Sequence, residues 1–165
     1  MHLRTIRNLH LIVFAFLTFT ASAFAQQLQL TGLDGKAITV TAADLKAMPR
    51  HPVVIVNAHT KADEKYEGVL LSDVLAKINA PMGEKLRGPL LLTYVKAGAS
   101  DNYHVLLALA DVDPEMRPNE IIVADTMNGA ALDAKQGPLK LIVPGDKRPA
   151  RSVRMLTTIL LHQAP

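Results

Sequence analysis

Between Lys140 and Arg154 the chain carries five cations, Lys140, Lys147, Arg148, Arg151 and Arg154, against a single acid, Asp146. Pro144 and Gly145 set a tight turn inside this segment, so backbone N–H groups and guanidinium forks can converge on one anion. A solvated basic turn has the same composition, and the residues alone leave both readings open. A second cluster, Asp101, Asn102, Tyr103 and His104, falls on a predicted hairpin tip. Asn102 tolerates the left-handed backbone that a turn requires. Asp101 could accept a pair of hydrogen bonds from an amino-heterocycle and Tyr103 could stack on it, although an ordinary turn accounts for the same residues. Asn128-Gly129 is a strong turn signal whose side-chain amide could also read a ligand edge. His59 stands at the end of an apolar run, either as a half-exposed loop histidine or as part of a site. Together with His51, His104 and His162 it shows no H-x-x-x-H spacing for a metal, and no phosphate loop or nucleophile elbow is present.

The elements that must position these residues are mostly strands. "QLQLTGLDGKAITVT", residues 27–41, alternates apolar and polar on both sides of Asp34-Gly35 and predicts a hairpin. Thr41 followed by Asp44 is a capping-box variant and predicts a short helix that stops before Pro49. "PVVIVNA", residues 52–58, is a continuous β-branched run and predicts a buried strand. Residues 59–65 read as a polar loop, and Ser72 as the cap of a helix burying Val74, Leu75 and Ile78. Strands are further predicted over 89–97, 103–107, 120–126, 139–143 and 152–161, the first two as a hairpin. Strands outnumber helices, and no internal repeat or linker interrupts them. The expected fold class is a single α+β domain, sheet-dominated, with short helices.

Composition limits what such a domain can do. The chain has 165 residues, a formal charge of +3 and no cysteine. Disulfides, thiolate nucleophiles, cysteine-bound zinc and iron–sulfur clusters are thereby excluded. Residues 1–25 have a basic start with Arg4 and Arg7, an apolar run from Leu9 to Leu17 and an Ala23-Phe24-Ala25 end. These are the parts of a secretory signal peptide, and the run is shorter than the roughly 20 residues that span a bilayer. The expected domain is therefore 26–165, periplasmic and not inserted in the membrane after cleavage. Cleavage would remove both unpaired arginines and all four Phe, leaving a charge of +1. So weak a basic balance is no argument for nucleic acid.

Four segments in order, "YEGVLLSDVL", "SDNYHVLLAL", "IIVADTMNGAAL" and "GPLKLIVPGDKRPARSVRML", resemble the sulfite-oxidase-type molybdopterin-binding domain, best in its small stand-alone exported versions. The last segment is the most specific, and the resemblance covers about Tyr66 to Leu161. It implies the mixed-sheet fold of that family. It also implies that Arg151 corresponds to the Arg of A-R-x-V, with Lys140 and Arg154 at positions where the family carries cations that hold the pterin and its phosphate tail. Asn128 with Gly129 matches the N-G turn, and Asp101 with Tyr103 matches D-x-Y. The cysteine that binds molybdenum in catalytic members is missing; Asn57, His59 and Thr60 occupy the matching region, and none is a soft thiolate. The family's Trp is Met155 here, and the glycine of its D-G-Y motif is Asn102.

The resemblance thus implies a pterin or molybdopterin ligand without thiolate-bound molybdenum, and an exported, non-catalytic binding protein. Small cysteine-lacking relatives look like periplasmic pterin receptors that signal to inner-membrane enzymes of cyclic-di-GMP turnover, so an inner-membrane sensor is the expected partner. Two alternatives remain: a periplasmic molybdenum oxidoreductase with a non-cysteine ligand such as His59, and an interaction module without any ligand.

Overall fold

The structure, a computed structural model, describes residues 27–57, 60–118 and 120–165. The predicted leader and His59 lie outside the described residues.

Two sheets form the domain. In the first, β1 (Gln27–Thr31) pairs antiparallel with β2 (Ala37–Thr41), and β5 (Thr93–Ala99) pairs antiparallel with β6 (His104–Ala108). The last strand, β10 (Leu156–Gln163), lies between these hairpins, parallel to β1 and antiparallel to β5. The second sheet runs β3 (His51–Val56), β4 (Asp63–Leu70) and β7 (Ile122–Met127), all antiparallel. Along the far edge of β7 lie β8 (Ala130–Ala131) and β9 (Lys140–Ile142) in succession. The arrangement is sheet-dominated, as the strand count predicted, and the first sheet mixes parallel and antiparallel pairs, as the family resemblance implied.

The period of two assigns each residue to a face. Leu28 and Leu30 are fully buried between exposed Gln27 and Gln29, and together with Val95, Leu107, Ile159 and Leu161 they form the apolar face of the first sheet. They share a core with Val69, Val123 and Leu141 of the second sheet. The same core takes in Leu71, Val74 and Leu75 of α2 (Leu71–Ala76) and Leu109 and Val112 of α3 (Leu109–Val112). Each fully buried leucine contributes about 1.5–3 kcal/mol relative to exposure. The opposite face of the second sheet holds a smaller cluster of Val53, Tyr66, Ile122, Ala124 and Ile142.

Plain alternation sends Tyr66 and Leu70 of β4 to the smaller cluster and Val69 to the main core. The bulge opposite Glu67 and Gly68 lies on β7, where the extra residue Asp125 lets Met127 join Ile122 and Ala124 on the smaller cluster's face. Gly68 is required there, because a Cβ would sit 2.1 Å from the carbonyl oxygen of Val123. On β9, Lys140 pairs with Ala124 and Ile142 with Ile122, so Lys140 shares the Tyr66 face while Leu141 enters the main core.

The short helix after β2, α1 (Ala42–Lys46), has the predicted capping box: Thr41 Oγ1 accepts from Asp44 N at 3.2 Å, and Thr41 N donates to Asp44 Oδ2 at 2.8 Å. Five expectations are corrected. The β-branched run is not buried throughout: among the described residues only β4 pairs with β3, and alternation buries Val53 while Val54 and Val56 stand on its exposed face. Strand β4 begins at Asp63, so the loop is shorter than predicted. Leu70, not Ser72, caps α2, and it makes no side-chain cap bond. Residues Gly88–Leu92 form a 3-10 turn before β5, and β10 starts only at Leu156.

Candidate ligand-binding cleft

The basic segment leaves β9, turns at Gly145 with φ +85°, and forms a 3-10 turn at Pro149–Arg151. Its base is closed by backbone bonds from Leu141 N to Val153 O at 2.8 Å and from Leu156 N to Leu139 O at 2.8 Å. Ser152 Oγ accepts from Val143 N at 3.0 Å across the neck.

Within this frame Arg151 donates through Nε to Asp146 Oδ2 at 2.8 Å and through Nη2 to Asp146 Oδ1 at 2.6 Å. Its Nη1 reaches Asp111 Oδ2 at 3.3 Å, and Asp111 also receives Arg117 at 2.7 Å. The bidentate bond from Arg151 holds the Asp146 carboxyl below the usual carboxylate range, against a smaller opposing effect of burial. The guanidinium thus acts as an internal tie that closes the loop.

Lys140 has a different setting. It is 8% exposed, and its Nζ donates to Gln136 Oε1 at 2.6 Å and to Tyr66 Oη at 2.8 Å. Tyr66 in turn donates to Glu64 Oε2 at 2.8 Å, and Asn57 Nδ2 donates to Glu64 Oε1 at 2.7 Å. Burial lowers the Lys140 pKa; Glu64 opposes this shift and Arg154 adds to it. Burial, followed by the bond to Glu64, raises that of Tyr66.

Two clefts flank this lysine. One, of about 700 Å³, lies beside the ends of β3 and β4 and is lined by Ile55, Asn57, Glu64, Asp133 and Gln136. The other, of about 760 Å³, lies toward the β5–β6 hairpin and is lined by Asp101, Tyr103 and Arg148. Lys140, Pro149, Ser152 and Arg154 line both.

Of the residues singled out from the sequence, the fold brings together Lys140, Arg148, Arg154, Asp101 and Tyr103. Asp101 Oδ1 accepts from Tyr103 N at 3.0 Å, and Tyr103 Oη donates to Ala150 O at 2.7 Å, which ties the hairpin tip to the basic segment. Arg151 lines neither cleft. Asn128 sits with φ +52° at the β7–β8 turn, its Oδ1 accepting from Lys65 N at 3.0 Å, and it also lines neither. Glu64, Gln136, Asp133 and Ser152 were not singled out. Glu64 would have been found by extending the β4 period two residues back from Tyr66; Gln136 carries no local signal.

The lining suits an anionic or polar heterocycle. Cations can meet a charged tail, while the carboxylates and amides can pair with ring N–H and C=O groups. Among the described residues, no group of three or more His, Cys, Asp or Glu side chains is placed to hold a metal.

Comparison with known proteins bears on this chemistry. The family model described as oxidoreductase molybdopterin binding domain matches residues 19–165. The sulfane dehydrogenase SoxCD from Paracoccus pantotrophus superposes with a TM-score of 0.64 at 20% sequence identity, covering 84% of this chain and 38% of that chain. At that identity the likeness is one of fold, and this chain spans well under half of the SoxCD chain. No curated protein gives a sequence match.

Proposed function

The chain belongs to the oxidoreductase molybdopterin-binding domain family, and from that premise we propose that it is an exported binding protein for a pterin-class ligand and catalyses no molybdenum chemistry. The observation that carries this reading is the buried Lys140, braced by Tyr66 and Gln136 between two clefts of a chain without cysteine. A 2-amino-4-oxo ring presents N–H donors on one edge and a carbonyl beside them. Glu64 and Asp133 supply acceptors for the first, and Lys140 supplies a donor for the second. Arg148 and Arg154 supply charge for a phosphate or carboxylate tail. A charge-assisted bond of this kind is worth about 1.5–3 kcal/mol.

A molybdopterin would bring an oxo-transfer metal centre, and no thiolate of this chain could ligate it. What the chain supplies is binding and orientation. The ligand-bound protein then reports to a membrane partner, an inner-membrane sensor of cyclic-di-GMP turnover. The test is to purify the mature protein, residues 26–165, from its host's periplasm, denature it, and identify the released small molecules and metals by mass spectrometry. A pterin without molybdenum is expected; molybdenum released in stoichiometric amount would overturn the reading.

A further inference from the structure

The relay from Lys140 through Tyr66 to Glu64 is more than a binding site needs. We infer that Lys140 is a nucleophilic lysine that condenses with an aldehyde carrying a phosphate or carboxylate group, forming a protonated imine. This inference concerns the same clefts but holds whichever heterocycle binds there.

Three features support it. Lys140 is buried yet lines both clefts, so a carbonyl carbon can be brought to the amine from either one. Its Nζ donates to Tyr66 Oη at 2.8 Å, and that hydroxyl donates to Glu64 Oε2 at 2.8 Å, a continuous path for a proton. Arg148 and Arg154 line the same cleft as Lys140 and can seat the anionic group of the aldehyde.

The chemistry balances without oxidant or reductant. One proton moves from the ammonium to Tyr66 as the Tyr66 proton moves to Glu64, leaving a neutral amine, an intact phenol and a protonated carboxyl. The amine lone pair forms a C–N bond as the carbonyl π bond breaks, and a proton passes from nitrogen to the new alkoxide. The carbinolamine hydroxyl then takes the proton stored on Glu64, relayed by Tyr66, and leaves as water. The product is a protonated imine beside an ionised Glu64. The titratable and charged groups that set this amine's protonation are Glu64, Tyr66, Asp133 and Arg154; burial and Arg154 favour the neutral form, while Glu64 and Asp133 oppose it.

The experiment treats the full-length protein with a limiting amount of pyridoxal 5′-phosphate, reduces with sodium borohydride, and locates the adduct by peptide mass spectrometry. The expected result is an adduct predominantly on Lys140, lost in Lys140→Arg. In Tyr66→Phe, shown to be folded by circular dichroism, it should form about a hundredfold more slowly, a typical loss for one acid–base group. Adducts spread over exposed lysines such as Lys36 with Lys140 unmodified would overturn the proposal, and so would an unchanged rate in Tyr66→Phe. Because labelling is read without any pterin present, failure of the pterin reading leaves this result interpretable. Conversely, Lys140→Arg that binds pterin but takes no label separates the two roles.

Discussion

Arg151 gives both arms of its guanidinium fork to Asp146 and reaches Asp111, whereas Lys140, on the same basic segment, ends against a phenol and an amide oxygen between two clefts. Both are cations that a count of charge treats alike. The first is locally neutralised and holds the loop in shape; the second is desolvated and presented to whatever enters. A charge-rich segment therefore offers a ligand less than its formal charge suggests, and the side chains left facing the clefts decide its chemistry.

The largest effect should come from Gly68→Ala, which removes the platform on which both regions rest. The added methyl would meet Val123 O at 2.1 Å, and a loss of about 4 kcal/mol or more is expected in denaturant unfolding. Next, Lys140→Met should lower pterin affinity by about 1.5–3 kcal/mol in calorimetric titration. It also takes the donor away from Gln136 Oε1 and Tyr66 Oη, so a stability loss of about 1–3 kcal/mol is expected beside the affinity effect. Arg151→Ala should separate the two effects. It should lose about 1 kcal/mol of stability, read as a lower Tm, with affinity nearly unchanged.

The pH dependence is a finer probe. Arg151 depresses the pKa of Asp146, so the pair's contribution is present above the unfolded carboxylate pKa, about 4, and is lost as pH falls through the lower folded value. Asp146→Asn should therefore be less stable than wild type near neutrality and converge with it in acid, measured by unfolding at a series of pH values. The smallest effect is expected of Tyr103→Phe, which removes one exposed hydrogen bond to Ala150 O and should lose about 0.5 kcal/mol in the same assay.

Much of the fold was legible because its signals are local. Thr41 and Asp44 are three residues apart, and the hairpin of residues 27–41 carries both its alternation and its turn. Asn102 and Asn128 take the left-handed backbone that their turns demand, with φ +67° and +52°. The edge position of β3 was not legible, since a β-branched run looks the same whether one neighbour pairs with it or two. Nor was the fate of Arg151: Asp146 lies nearby in sequence, but Asp111 is brought in from α3 only by the fold. The cation cluster could be read as a possible anion site, while the polar partners that give it character, Glu64 and Gln136, come from β4 and from the turn before β9.

The most direct test of the division between Lys140 and Arg151 is calorimetric titration of pterin-6-carboxylate into wild type, Lys140→Met and Arg151→Ala, each first shown to be folded. The account predicts that Lys140→Met loses most of the affinity while Arg151→Ala binds nearly as well as wild type at a temperature below its Tm. Equal losses in both variants, or a loss confined to Arg151→Ala, would contradict it and place the anion at the loop that Arg151 closes.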